Sequence, residues 1–158
     1  MTRTHARAPK GLRAYGQIPR NRGRTLTLLC AMTQHGPCAE LVVDGGVDGA
    51  VFVTYVRDVL CPLLRAGQVV VMDNLGAHLR PEVVAFIEAQ GAMVAYLPPY
   101  SPDLNPIELL FAKLKAAMRR LQARTRATVI AALNLALHTI TPHDAAAWLR
   151  HCRLPQWL

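Results

Sequence analysis

Residues 68–73, QVVVMD, constrain the fold more than any other part of the chain. The near-continuous apolar run suits a strand covered on both faces, as strands in parallel sheets are. Residues 92–97, AMVAYL, form a second such run. Between them PEVVAFIEAQ reads as a short helix, with Pro81 tolerated at its first position and Gly91 stopping it. Strand, helix, strand makes a β-α-β unit, whose crossover leaves the two strands parallel. Asp73 and Leu97 then fall at the same edge of the sheet, where α/β proteins place their sites.

The elements on either side are also legible. RTLTLLCAM (24–32) and AELVV (39–43) read as two strands of a hairpin, closed by the turn Asp44-Gly45-Gly46. Asp48 is placed to cap a helix running to about Leu64, in which Val51, Phe52, Tyr55, Val56, Val59, Leu60 and Leu63 keep helical spacing. Pro62 should kink or end its last turn. After Leu97 comes a loop stiffened by Pro98, Pro99, Pro102 and Pro106. Asn105-Pro106 then supplies a cap and a first-turn proline for a helix to about residue 122. Its core stripe is Ile107, Leu110, Phe111, Leu114, Met118 and Leu121, and Glu108, Lys115 and Arg119 share one flank of that stripe. Two shorter helices are expected at about 126–138 and 142–150.

With 158 residues, 52% of them hydrophobic and 18% charged, the chain is long and apolar enough for one folded domain. No apolar run approaches the roughly 18 residues of a membrane span, and the basic start MTRTHARAPKG lacks a signal-peptide core. Cys30, Cys38, Cys61 and Cys152 form no C-x-x-C pair, which argues for reduced thiols and a cytoplasmic setting. The net charge of +8 is uneven: residues 1–24 carry seven bases and no acid, and residues 113–126 carry six and no acid. Such clusters suit a polyanion, nucleic acid above all, although a merely solvated basic surface has the same composition. The expected organisation is a basic arm (1–23), one domain (24–150) and a short tail (151–158).

Because the helix at 105 starts just after a strand parallel to 68–73, Glu108 can face Asp73 across the sheet edge. Two carboxylates brought together in this way suit Mg²⁺, a hard cation bound through a few carboxylates and substrate phosphate. Two such ions roughly 3.5–4 Å apart activate the attacking oxygen and stabilise the leaving one. Bland readings stand beside this one. Asp73 can cap a turn, and Glu108, three residues after Asn105, has the spacing of a capping box.

VVVMDNLGAH followed by YLPPYSPDLNPIELLFAKLK closely resembles the DDE transposases of the insertion-sequence 630 family, in the Tc/mariner superfamily. RAPKG, GGVDGAVFVTYVRDVLCPLL and TPHDAAAWLRHC extend the likeness, and residues 74–107 put 34 positions between the two acids, as that superfamily does. The resemblance implies an RNase H-like α/β fold, a mixed sheet with flanking helices. It further implies three carboxylates holding two Mg²⁺ ions, with Mn²⁺ as a substitute. The implied activity is cleavage of insertion-sequence ends and strand transfer into target DNA, the chemistry of a mobile element. Asp73 and Glu108 would be the second and third acids, serving as catalytic residues and metal ligands. Asn74, His78 and Asn105 would support them or face the DNA. Lys115, Arg119, Arg120 and Arg124 would contact phosphates, though a solvated helix face explains them equally. The partners implied are terminal-repeat and target DNA, with a homodimer suggested by the joining of two ends, in a bacterial cytoplasm at the nucleoid.

The likeness breaks at the family's first acid, which lies on the first, central strand. No acid precedes Glu40, and turn and cap chemistry account for Asp44 and Asp48. The family's helix-turn-helix DNA-binding region is missing as well. The chain is therefore expected to be the C-terminal part of a transposase. An internal start, a decayed copy or the downstream product of a frameshifted pair would each produce it, and an upstream segment or second reading-frame product would supply the first Asp. Without that strand, 24–32 or 68–73 should keep an unpaired edge. Three functions follow from these residues: a catalytic domain inactive without the missing segment, a non-catalytic DNA-binding or regulatory remnant, and another RNase H-like nuclease, which PYSPDLNPIE disfavours.

Overall fold

A computed structural model describes residues 7–15 and 25–154. Arg3, Arg20, Arg22 and Arg24 of the basic arm, and Trp157 of the tail, lie outside the described residues. The elements run β1 (Leu26–Thr33), β2 (Gly36–Asp44), α1 (Gly49–Tyr55), β3 (Val69–Met72), α2 (Pro81–Glu88), β4 (Met93–Tyr96), α3 (Pro106–Leu121), α4 (Arg126–Leu137) and α5 (Pro142–His151). Among the described residues no helix is long and apolar enough to cross a membrane.

The expected hairpin is present and longer than its apolar pattern indicates. β1 and β2 pair antiparallel from Leu26↔Asp44 to Thr33↔Gly36, so only Gln34 and His35 form the turn. A bulge between Leu29 and Ala31 interrupts the register. β3 and β4 pair in parallel, Val69↔Met93 through Met72↔Tyr96, as a β-α-β crossover requires. α2 ends at Glu88, earlier than the expected stop at Gly91, which lies in the turn that follows; its φ of +72° favours glycine and its Cβ position lies 3.0 Å from Ala66 Cβ, so a side chain there would meet both strain and crowding.

The single mixed sheet expected from the resemblance is instead two sheets. Among the described residues β1 pairs only with β2, and β3 only with β4. The hydrogen-bonding edge expected to be left open is thus found on both strands. The helix after Asp48 also departs from a uniform cylinder. Its Asp48 cap accepts from Val51 N–H at 2.9 Å as expected, but α1 passes into a π turn over Val56–Leu60 and a 3₁₀ turn over Cys61–Leu63. Pro62 has no N–H to continue an α-helical ladder and its ring crowds the carbonyl four residues back, which accounts for the change of winding.

Two cores hold the molecule together, and the hairpin lies between them. In the first, Phe52, Tyr55, Val56, Leu60, Met72, Val83 and Ile87 are buried, with Leu29, Ala31 and Leu41 against them. In the second, Leu110 and Leu114 of α3 meet Leu133, Ala136 and Leu137 of α4, covered by Leu28, Met32 and Val42 from the opposite face of the hairpin. Alternation of side chains along a strand divides the hairpin residues between the two. Leu63 and Leu121, assigned to core stripes by spacing, are 55% and 43% exposed because each closes the last turn of its helix, beyond the packed layer.

Candidate functional site

The parallel pairing of β3 and β4 does most of the positioning. Leu97 N–H donates to Met72 O at 2.8 Å, so the two strands end side by side. The residue after each strand therefore turns out at the same edge. Asn74 ties that edge together, its side-chain amide donating to Leu97 O at 2.6 Å. From Leu97 the proline-stiffened loop leads directly into α3, which Asn105 starts by accepting from Ile107 N–H at 3.4 Å. Asp73, Asn74, Asn105 and Glu108 thereby line one open cleft of about 390 Å³, together with Leu97 and the loop 98–102.

Asp73 is half-buried and held in place. Its Oδ1 accepts from Leu75 N–H at 3.1 Å, an Asx turn, and lies 2.6 Å from His78 Nδ1. Its Oδ2 has no protein hydrogen bond among the described residues. His78 is itself fixed from two directions. Its ring packs on Phe52 with centroids 4.5 Å apart, and its carbonyl accepts from Tyr96 Oη at 3.0 Å. His78 is expected to support the acids or face the DNA, and its Nδ1 lies against the carboxylate of Asp73.

Glu108 is exposed, and its carboxylate makes no hydrogen bond or ion pair among the described residues. The capping-box alternative would have that carboxylate accept from Asn105 N–H, but this N–H donates to Pro102 O at 3.1 Å. One acid is thus oriented with an oxygen to spare, and the other is wholly unspent. Among the described residues no group of three or more His, Cys, Asp and Glu side chains is arranged to hold a metal ion. Two carboxylates are a partial donor set, of the oxygen type a hard cation takes while keeping water and substrate ligands.

The basic residues divide by what they touch. Lys115 and Arg120 on α3 are exposed and Arg119 is half-buried, and none has an acidic partner among the described residues. Lys113 is committed, 2.6 Å from Asp144 of α5. Arg126 is committed to Asp44, its Nη2 at 2.7 Å and Nε at 3.1 Å from the two carboxylate oxygens. That pairing, with the Asp48 cap, accounts for both acids of the double-glycine region without any role in a site.

Two features, one on the cleft and one in the groove beside it, are invisible to residue patterns. Tyr100 projects fully into solvent from the lining loop with φ +58°, a left-handed conformation costly for a residue with a Cβ. The only sequence signal is the rigid setting between Pro98-Pro99 and Pro102. Tyr55, read as a core residue, is buried at 4% exposure with its Oη unpartnered, and burial pushes its phenol above the ordinary tyrosine value.

Comparison with known proteins places the chain in a family and bears on its fold. The profile of the DDE superfamily endonucleases matches residues 1–130. Among solved structures the chain is similar to that described as the Mos1 mariner paired end complex with Mn, at 20% identity and a TM-score of 0.72. The match covers 96% of this chain and 47% of that one, so the chain spans about half the length of the protein it resembles. It bears out the RNase H-like α/β fold. No curated protein matches the chain. With 130 of 158 residues inside the profile, the chain belongs to the DDE superfamily endonuclease family.

Proposed function

We propose that this chain is the catalytic part of an insertion-sequence transposase, cleaving DNA at the element's ends and transferring the freed 3′-hydroxyl strand to target DNA. The observation that carries the reading is the convergence of Asp73 and Glu108 on one cleft with oxygens left over. Asp73 and Glu108 would hold Mg²⁺, with Mn²⁺ as a substitute. Bound there, divalent ions would lower the pKa of the attacking water or hydroxyl and offset charge on the scissile phosphate. The chain's own residues orient and bind. His78 fixes the rotamer of Asp73, Asn74 locks the strand edge, and Asn105 sets the start of the helix that presents Glu108. Lys115, Arg119 and Arg120 would neutralise phosphates along α3, and Arg124 would do so from the turn between α3 and α4. DNA ends and target are the partners, a homodimer joins two ends, and the setting is the bacterial nucleoid.

Two carboxylates are one short of the family's set. The isolated chain is therefore expected to lack robust strand transfer until an upstream segment or second reading-frame product supplies the third acid. The lack of a third acidic group at the cleft among the described residues also favours a second reading, a DNA-binding remnant without catalysis.

Calorimetric titration with Mg²⁺ and Mn²⁺ alone, beside filter binding to duplex DNA, separates the two. The catalytic reading expects ion binding that Asp73→Asn and Glu108→Gln abolish. The remnant reading expects DNA binding with no ion binding at all. Mg²⁺-dependent cleavage of terminal-repeat DNA by the 158-residue chain, abolished by Asp73→Ala, would refute the need for a third acid.

A further inference from the structure

The loop that joins β4 to α3 carries a ring that no described residue packs against. Tyr100 is fully exposed, and its φ of +58° is a left-handed conformation that a Cβ makes costly. Strain of this kind persists only where the surroundings over-determine it, and it clusters at ligand clamps and active sites. Here the loop holds it from both sides. Pro98 and Pro99 fix the backbone before Tyr100, and Pro102 restricts Ser101 after it. Ser101 Oγ donates across Tyr100 to Pro99 O at 3.3 Å, and Leu104 N–H donates to Ser101 O at 3.1 Å. The ring therefore stands on a short, pre-formed turn.

Its location narrows what the ring can serve. Tyr100 lines the same cleft as Asp73, Asn74 and Glu108. Among the described residues the other exposed large apolar side chain on that cleft is Leu75, at 60% exposure. An aromatic and an aliphatic side chain thus stand beside two carboxylates. Neither can bind a hard cation or neutralise a phosphate. What they suit is a flat, uncharged face held close to a phosphate, and in DNA that group is the nucleobase. Within a duplex the neighbouring pairs cover both faces of every base, so an unpaired base is the one that offers a face. An apolar side chain of a protein partner would also cover the ring, but the chain's charge of +8 favours a polyanionic strand.

We propose that Tyr100 is a stacking platform for one unpaired base of the bound DNA, with Leu75 beside it, and that the stack brings the adjoining phosphate to Asp73 and Glu108. The inference rests on the transposase reading for its DNA and adds a binding residue that is neither acid nor base. Because stacking involves no net charge, its contribution does not depend on salt as phosphate contacts do. It is also tolerant of sequence, since every base has a π face.

The test uses the full chain and two labelled DNAs, a blunt duplex and the same duplex with a single-stranded adenine tail, with binding read by fluorescence anisotropy. The tailed DNA should bind about 10-fold more tightly than the blunt one. Tyr100→Ala should abolish that advantage, leaving the blunt affinity and the slope of log affinity against log salt unchanged. Tyr100→Phe should keep the advantage, because the ring and not the hydroxyl makes the stack. Tyr100→Gly should lose it while raising the thermal midpoint, opposite signs that a merely structural role would not give. An undiminished advantage in Tyr100→Ala overturns the proposal, as does a Phe variant as impaired as the Ala one. A loss shared equally by both DNAs, or a Gly variant that loses the advantage with a lower midpoint, assigns Tyr100 to loop shape and also overturns it. If the wild-type chain binds DNA without favouring the tail, the platform falls alone; if it binds neither DNA, the transposase reading falls with it.

Discussion

Asp144 anchors α5 to α3, the helix that presents Glu108, and its removal is the most quantitative perturbation available. Its Oδ2 accepts from Lys113 Nζ at 2.6 Å, Thr141 N–H at 2.9 Å and Thr141 Oγ1 at 2.8 Å. These contacts, Lys113 first, pull its pKa from the ordinary 3.8 down to about 2. At about 1.4 kcal/mol per pH unit, a fall of that size caps the contribution at about 2 kcal/mol. The Asp144 and Lys113 side chains are 25% and 37% exposed, so solvent screening brings the expected value nearer 1 kcal/mol. The folded-state pKa lies below the unfolded one, so this stability is fully present above about pH 4 and is lost as pH falls through about 2. Asp144→Asn keeps an oxygen for the Thr141 cap and deletes the charge. It should therefore cost about 1 kcal/mol in urea unfolding at pH 7, roughly 3 °C in Tm, and progressively less between about pH 4 and pH 2. Lys113→Met should be non-additive with it, since the two changes remove one interaction. An Asp144→Asn deficit of the same size at pH 2 as at pH 7 would refute the electrostatic account and leave only a packing role.

Tyr100→Gly should stabilise the protein by about 1 kcal/mol, because the left-handed backbone suits glycine and a fully exposed ring forfeits no packing; an unchanged thermal midpoint would mean the backbone is not held there. Burial, with Glu40 nearby, pushes the Cys30 thiol up to about 12, and burial raises Cys38, Cys61 and Cys152 as well. Little thiolate is then present at pH 8, so disulfide reagents should label the native chain at least ~10-fold more slowly than the urea-unfolded chain. Rapid native labelling of Cys30 would contradict its burial. In duplex-DNA binding, Lys115→Ala and Arg119→Ala should each reduce the slope of log affinity against log salt by about 1. Lys113→Ala should not, since its charge is already held by Asp144, and equal effects at all three positions would refute the division drawn here.

Individual elements were legible wherever a local cause produced them. Asp48 caps α1, Asn105 caps α3, Thr141 opens α5, and Gly91 takes the left-handed turn just beyond α2 that a residue without Cβ adopts readily. The hairpin was underestimated, since Pro37 and Cys38 looked like loop and lie in β2. Pro37 tolerates that place because, among the described residues, β2 is hydrogen-bonded on one side only. The change of winding after Tyr55 was foreshadowed by Pro62, but its π form was not, because a wide turn depends on how the surrounding residues pack.

The sequence by itself determined the order of elements, the parallel pair that ends at Asp73 and Leu97, and the motif that joins Asp73 to Glu108. These follow from hydrophobic period, turn chemistry and helix caps, all of which act over a few residues. Only the tertiary structure decided which charged groups are spent. Lys113 and Asp144 are 31 positions apart, and Arg126 and Asp44 are 82 apart, so no local pattern announces either pair. Packing likewise turned His78 onto Asp73, left Glu108 free, and separated the hairpin from the parallel pair by an apolar groove along both edges. Side-chain pairing and sheet closure are settled by contacts distant in sequence, and those contacts exist only once the two cores have formed around the hairpin.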